Sequence, residues 1–181
     1  MQDSNDKIST MGIFLHWLVG ITIIGLIAVG LYMAENDIES LYPIHKSIGV
    51  ILFIFIVFRV IRRIRRGWPK AVGDYQQWES VLSKSVHWIL IIATLMFPIS
   101  GMMMSGAGGH GISVFGLELL ASNFDTAGKA IPLNATLAGL GHETHEILGE
   151  LIIYVIGLHI LAAFKHHFID KNRSLLRMLG K

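Results

Sequence analysis

Histidines inside long apolar stretches are the residues of this 181-residue chain that could do chemistry. An imidazole in such a stretch is costly, and it either hydrogen-bonds to another helix or binds a metal ion or cofactor. A single histidine in such a stretch is most simply interpreted as a hydrogen-bonding residue. Several histidines at matching depths in the membrane favour binding of a metal ion or cofactor. The chain has no cysteine, which excludes disulfides, Cys-ligated iron–sulfur clusters and cofactors attached through thiols. The candidates are His16, His45, His87, His145 and His159.

These histidines lie within or at the edges of four apolar stretches, each close to the ~20 residues that a membrane-spanning helix needs. The stretches cover roughly residues 13–33, 44–60, 82–104 and 142–164. Apolar residues make up 52% of the chain and charged residues only 15%, against about a quarter charged in soluble domains. The first stretch follows a polar segment and has no small-residue cleavage site after it, so we predict a retained helix rather than a signal peptide. The pattern predicts an all-α integral membrane four-helix bundle, a single domain over residues 1–181.

Lysines and arginines in the links predict the orientation, because cytoplasmic loops carry the excess of basic residues. The link AENDIESLYP between the first two stretches has no basic residue, and the outer loop 105–141 has only Lys129. Both termini are therefore predicted to be cytoplasmic. Nucleic acid is excluded as a partner, because the basic residues flank apolar stretches instead of forming one polar face. The basic residues are Arg59, Arg62, Arg63, Arg65, Arg66 and Lys70 in the second link and Lys165, Lys171, Arg173, Arg177 and Lys181 in the tail.

The outer loop 105–141 begins with glycines and continues with an apolar run at 112–120. That run is too short to span a membrane. We expect it to form a short helix that lies on the outer surface and covers what is beneath it.

The direction of each helix sorts the histidines by depth. His16 and His87 are predicted near the cytoplasmic face, and His45 and His145 near the opposite face. His159 follows His145 by 14 residues, which is about 21 Å of rise, and steps of ~100° return it to within ~40° of the same face. One helix thus presents two ligands at opposite depths, a geometry that fits two stacked haems. His45 is the partner of His145, whereas His159 could pair with His16 or with His87.

The residue one turn after each histidine distinguishes His16 from His87 as the partner of His159. A flat macrocycle against a helix needs a small side chain about one turn from its ligand. His87 is followed at the fourth position by Ile91, so the pattern favours His16 as the partner of His159. The small residues four positions after the other candidates are Gly20, Gly49, Gly149 and Ala163.

Several longer motifs surround the histidines. They are FLHW (14–17), PIHKSIG (43–49), FRVIRR (58–63), SVHW (85–88), FPISGMMM (97–104), THEILGELIIYVIGLH (144–159) and KHHF (165–168). Together they cover most of the chain and resemble the bacterial four-helix cytochrome b561 proteins. That family is related to the b-type cytochrome subunits of membrane hydrogenases and formate dehydrogenases.

The resemblance implies two haem b groups, with His16 and His159 on the inner iron and His45 and His145 on the outer one. It also implies that His87 is not an iron ligand. Family members exchange electrons with ubiquinone, and some take electrons from superoxide at the outer face.

We therefore expect a di-haem b cytochrome in the lipid bilayer of the bacterial cytoplasmic (inner) membrane. It would transfer electrons between ubiquinone and a donor, either superoxide or a periplasmic donor protein. Whether it acts as a superoxide or quinol oxidoreductase stays open at this point. His87, Lys84 and Arg59 are expected near a quinone or a haem propionate.

Two alternatives compete with this interpretation. The chain could be a membrane anchor, as a cytochrome b subunit of a larger dehydrogenase. It could also be a copper or other metal transporter, because thioethers suit Cu(I) and Met102, Met103 and Met104 lie near His110. Consecutive methionines face different directions on a helix, which disfavours the transporter. A rival ligand, His142, precedes His145 by three residues and points about 60° away from it.

Overall fold

The computed structural model of the chain describes residues 8–68 and 76–181. Four helices in these ranges are long and apolar enough to cross a membrane, which confirms the predicted helical membrane bundle. A 3₁₀ turn at Glu39–Leu41 leads into the second helix, and a π-helical turn at Lys165–Ile169 continues the fourth. The elements are α1 (Thr10–Glu35), α2 (Tyr42–Arg66), α3 (Gln77–Ala107), β1 (Ile112–Val114), β2 (Leu117–Leu120), α4 (Ala135–Phe164) and α5 (Ser174–Met178).

Side-chain caps mark the starts of α1 and α4. The hydroxyl oxygen of Ser9 accepts a hydrogen bond from the backbone N–H of Gly12 (3.3 Å) at the start of α1. The side-chain oxygen of Asn134 accepts one from the N–H of Leu137 (3.0 Å). This cap starts α4 at Ala135, so the predicted boundary near residue 142 was too late. The apolar stretch marks only the part of α4 that can lie in lipid, whereas the helix itself extends further.

The helices pack as neighbours in a row. α1 packs on α2, α2 on α3, and α3 most extensively on α4. A Cβ atom at Gly141 of α4 would lie 2.6 Å from the backbone nitrogen of Met104, so only glycine permits this close approach. Within the described ranges, the backbone of α4 makes no extensive contact with α1 or α2. These helices instead face α4 through side chains.

Two apolar clusters fill the middle of the bundle. One joins α1 and α2 through Val19, Ile23, Leu52 and Ile56, and the other joins α3 and α4 through Ala93, Phe97 and Ile152. Two partly buried side chains, Ile27 and Ile156, pack against both clusters. Most other large apolar side chains of the long helices are exposed and form the surface that faces lipid.

The outer loop forms a β-hairpin, so the predicted surface helix at 112–120 was wrong. β1 and β2 are antiparallel, and Val114 pairs with Leu117 across a two-residue turn. Phe115 and Gly116 of the turn both have positive φ, 47° and 89°, as a type I′ turn requires. Such a turn matches the twist of the flanking strands, which explains why the run folds back on itself instead of forming a helix.

The two ends of the bundle differ in charge, and we name them by their contents. The arginine end carries Arg59, Arg62, Arg63, Arg65 and Arg66 at the end of α2. The hairpin end carries β1, β2 and the start of α4. Lys70, which was counted with the basic link, lies outside the described residues.

The tail folds back under the bundle at the arginine end. The indole N–H of Trp17 donates to the carbonyl oxygen of Met178 in α5 (2.8 Å). The ammonium of Lys165 bridges Glu79 of α3 (2.6 Å) and Asp170 (3.0 Å). Hydrogen bonds from Lys165 and His166 hold the pKa of Asp170 below its usual value. The tail therefore closes one side of this end.

Candidate functional site

The structure brings His45 and His145 together at the hairpin end. His45 lies one turn into α2, and His145 lies in α4. Their ring centres are 6.3 Å apart, with the ring planes at 75°. Two helices without extensive backbone contact thus meet through a pair of imidazoles.

A second pair forms at the arginine end. His16 in the first third of α1 and His159 near the end of α4 have ring centres 6.1 Å apart and ring planes at 63°. The two pairs are separated along α4 by the 14 residues between its two histidines, about 21 Å of rise.

Both separations fit one metal ion between two imidazoles. An imidazole nitrogen binds such an ion at about 2 Å, and two rings on opposite sides then have centres roughly 6 to 6.5 Å apart. The four histidines are partly buried, as ligands to a group within the bundle must be. Imidazole nitrogens are donors that a haem iron accepts, so each pair could hold such a group.

His145 is held by α3. Its Nδ1 lies 3.0 Å from the carbonyl oxygen of Phe97 and 3.1 Å from the hydroxyl oxygen of Ser100. A carbonyl oxygen only accepts, so Nδ1 carries the proton and Nε2 has the lone pair that a metal needs. A Cβ atom at Gly101 would lie 3.2 Å from Cε1 of the ring, so the absence of a side chain at Gly101 leaves room for the ring.

His45 is placed by packing, and Nδ1 takes no part in holding the ring. This nitrogen is buried and has no hydrogen-bond partner in residues 8–68 and 76–181. The ring packs on Gly30 of α1, where a Cβ atom would lie 3.4 Å from Cε1. A buried ring nitrogen without a partner is uncommon, so a hydrogen bond through Nδ1 does not explain the position of His45 beside His145.

His16 of the pair at the arginine end lines a basic cavity of about 460 Å³. Nη2 of Arg59 lies 3.4 Å from Nδ1 of His16. Arg62 donates to the hydroxyl of Ser9 (2.9 Å), and Arg63 stacks on Trp68 with 4.9 Å to the ring centre. These cations make the cavity suited to an anionic or strongly polar group, such as a haem carboxylate or a quinone headgroup.

His87 also approaches His159, but at a different distance. Their ring centres lie 5.2 Å apart, closer than the roughly 6 Å of two imidazoles on opposite sides of one ion. Nδ1 of His87 lies 2.6 Å from the carbonyl oxygen of Ser83 in its own helix, so this nitrogen is a donor. Trp68 contacts the other side of His87, with ring centres 5.6 Å apart. This geometry favours His16 over His87 as the partner of His159.

The remaining candidates lie apart from the pairs. Lys84 is exposed on α3, one turn before His87. His142 is exposed, and its Nε2 lies 3.9 Å from a carboxylate oxygen of Glu146. His110 packs on Phe124 with ring centres 6.0 Å apart. Across the described ranges, no group of three or more His, Asp or Glu side chains could hold a metal ion.

Two kinds of glycine surround the histidine pairs. Cβ atoms at Gly20, Gly49 and Gly149, which are the predicted small positions, would meet no atom within 4 Å. Gly30 and Gly101 instead contact the rings directly, and neither they nor the carbonyl of Phe97 were predicted. The motif FPISG, with a proline and a glycine inside an apolar helix, was the signal for that part of α3.

The chain matches one protein family over almost its whole length: residues 8–181 fit the family model described as prokaryotic cytochrome b561. The chain belongs to this family. It is 33% identical over 171 residues to "Cytochrome b561 homolog 2" of Escherichia coli (strain K12), which covers 92% of this chain and 87% of that protein. It is 28% identical to "Probable superoxide oxidase CybB" of Yersinia pestis, with 97% of both chains covered. "Cytochrome b561 homolog 1" of Escherichia coli (strain K12) is 24% identical, over 97% of this chain and 98% of its own length.

Membership confirms the resemblance that the motifs indicated. The chain is a bacterial multi-pass membrane protein of electron transfer, and the family implies haem b as its cofactor. The histidine pairs at the two levels of α4 have the donor set that such a cofactor takes.

Proposed function

We propose that this chain is a di-haem b cytochrome that transfers electrons across the bacterial inner membrane, between a donor at the hairpin end and the ubiquinone pool. His45 and His145 bind one haem, and His16 and His159 bind the other. The observation that carries the proposal is the matching separation of the two ring pairs, 6.3 and 6.1 Å.

The ligand set determines the chemistry. Two imidazoles on one haem iron leave no open coordination site, which suits electron transfer rather than oxygen activation. The carbonyl oxygen of Phe97 fixes the orientation of His145 and raises the basicity of its ring by accepting a hydrogen bond from Nδ1–H. Arg59 beside His16 adds a positive charge, which favours the reduced form of a group held there.

An apolar layer lies between the two levels of the bundle. Ile27 and Ile156 lie between the clusters that join α1 to α2 and α3 to α4. The described residues of these two clusters are all apolar, so they offer no group that could carry an ion along the bundle axis. Electrons would cross it, whereas protons and other ions would be held back.

The basic cavity at the arginine end supports two parts of the proposal, the orientation of the chain in the membrane and ubiquinone as the electron acceptor. We propose that this end is cytoplasmic, because basic residues accumulate on that side. Arg59 and Arg63 would hold haem carboxylates or the headgroup of ubiquinone. His87 and Lys84 on α3 lie on the same side and are further candidates for the quinone contact.

The electron donor is either superoxide or a protein. The name of the Yersinia pestis relative supports superoxide. Exposed Glu143 and Glu146, however, flank His145 and repel an anion, which favours a basic periplasmic protein or the subunit of a dehydrogenase. Lys46, next to His45, is partly buried and donates to Ser105 (3.2 Å) instead of facing water.

Redox spectroscopy of the purified chain tests the proposal. We expect a reduced-minus-oxidised b-type spectrum with two haems per chain and oxidation of the reduced protein by a ubiquinone analogue. Colourless protein, or reduced haem that ubiquinone does not oxidise, would contradict it. Raising the salt concentration distinguishes the donors: reduction by superoxide should accelerate as the carboxylates are screened, and reduction by a basic protein should slow.

A further inference from the structure

The hairpin packs on the side of α2 that faces away from the bundle. The backbone N–H of Phe115 in its turn donates to the hydroxyl oxygen of Ser47 (2.9 Å). Ser47 is only 2% exposed, although it lies within an exposed apolar stripe of α2. Residues three, four or seven positions apart share one face of a helix, and the face that carries this stripe is the one that faces lipid. The stripe consists of Ile44, Ile51, Ile54, Phe58 and Ile61.

The contact with Ser47 gives the depth of the hairpin turn. Tyr42 begins α2, and Arg62 follows it by 20 residues, about 30 Å of rise, which equals the usual thickness of the hydrocarbon layer. Ser47 follows Tyr42 by five residues, about 7 Å along the axis. The turn therefore lies below the boundary that Tyr42 marks.

The polar backbone groups of the hairpin have hydrogen-bond partners within the protein, as contact with lipid requires. A polar backbone group in hydrocarbon needs a partner within the protein. β1 and β2 pair with each other, and Ser47 accepts the bond from the turn. The hydroxyl of Ser105 donates to the carbonyl oxygen of Gly111 just before β1 (2.6 Å). Two serines of the long helices thus supply partners for the ends of β1.

The side chains of the turn are apolar and project outward. Phe115 is 67% exposed and Leu117 is also 67% exposed. Asn, Asp and Gly are the usual residues at positive φ in a type I′ turn, and an aromatic residue there is strained. In water, an aromatic residue at this position would cost free energy twice, through its strained backbone and through the exposure of its apolar ring. Contact with lipid removes the second cost.

We propose that the turn Phe115–Gly116 and the adjoining Leu117 insert into the bilayer at the hairpin end, where headgroups meet acyl chains, and anchor the outer loop beside α2. The ligand of this surface is lipid acyl chain, because the turn continues the lipid-facing stripe of α2 and lies at the depth of its first turns. The anchor is independent of haem binding and of the proposed function. It fixes the loop between α3 and α4 at the end where the donor arrives.

Single cysteines test the depth, because the chain has none of its own. Leu117→Cys carries an environment-sensitive fluorophore, and the whole protein is reconstituted in phosphatidylcholine vesicles. Ala127→Cys is the matched control, since Ala127 is exposed in the second turn of the same loop, beside Asp125. Both variants should keep the parent haem spectrum, which shows that they are folded.

We expect lipids with a spin-label quencher near the top of the acyl chain to quench the Leu117 label at least about threefold more than the Ala127 label. Iodide on both sides of the membrane should quench the Ala127 label more. Equal quenching of both labels by iodide would place the turn in water and overturn the proposal. A Leu117 label that is shielded from both quenchers would mean that protein, either a second copy or another subunit, covers the turn, and would also overturn it.

Discussion

The ring of His145 donates a hydrogen bond to the backbone carbonyl of Phe97, with 3.0 Å between nitrogen and oxygen. α4 thus carries this imidazole while α3 fixes its protonation and its direction. α3 and α4 are also the most extensively packed pair of helices, although the imidazole that faces His145 belongs to α2.

His145→Ala should remove one haem and leave the other. The second imidazole of the hairpin-end pair, His45, cannot hold a six-coordinate iron by itself. Haem quantification should fall from two per chain to one. His142→Ala is the control, because that ring is exposed and pairs with Glu146. Retention of both haems in His145→Ala, or loss of one in His142→Ala, would show that the wrong histidine was chosen.

His87→Ala should keep both haems, whereas His16→Ala should lose the one at the arginine end. The reason is the distance from His159, since 6.1 Å to His16 fits a shared iron and 5.2 Å to His87 does not. Low-spin signals in electron paramagnetic resonance measure each haem separately. The reverse pattern would exchange the roles of the two histidines.

Gly101→Val should displace the ring of His145, because even a Cβ atom there lies 3.2 Å from Cε1. Overpacking of this kind costs about 1 to 3 kcal/mol. We expect partial loss of the hairpin-end haem or a shift in its midpoint potential, measured by redox titration. Gly25→Val is the control, since a Cβ atom at Gly25 meets nothing within 4 Å. Equal effects of both substitutions would assign the loss to the helix backbone and not to the ring contact.

Arg59→Gln should lower the midpoint potential of the haem at the arginine end, because a nearby cation favours the reduced state. The expected shift is on the order of tens of millivolts, the size of a partly screened charge interaction. Arg65→Gln should have little effect, since Arg65 is exposed at the rim of the cavity. A redox titration that gives equal shifts for both variants would mean that the general positive field matters and not the contact of Arg59 with His16.

Sequence patterns predicted the features that depend on a regular repeat of residues along the chain. The apolar stretches predicted the four helices, and the 3.6-residue repeat predicted that His145 and His159 share a face of α4. Depth predicted His45 as the partner of His145, and the small residue four positions later favoured His16 over His87 as the partner of His159. Depth could not distinguish His16 from His87, because both lie at the same level and only their positions around the bundle differ.

The sequence was a poor guide where contacts between distant segments decide the structure. The run at 112–120 was interpreted as a surface helix because it is apolar and too short to span a membrane. Its Phe-Gly pair is a weak hairpin signal compared with Asn-Gly, so the turn did not stand out. Its turn is stabilised by Ser47, which is far away in the chain. Gly30 and Gly101 could not be distinguished from other glycines, because their role depends on which ring the neighbouring helix presents.

The pairing of the four histidines is tested most directly by electron paramagnetic resonance of the four single alanine variants of the purified protein. The account predicts two low-spin haem signals in the parent, one of which is lost in both His16→Ala and His159→Ala and the other in both His45→Ala and His145→Ala. Any other grouping of the variants, or a parent protein with fewer than two haems, would contradict it.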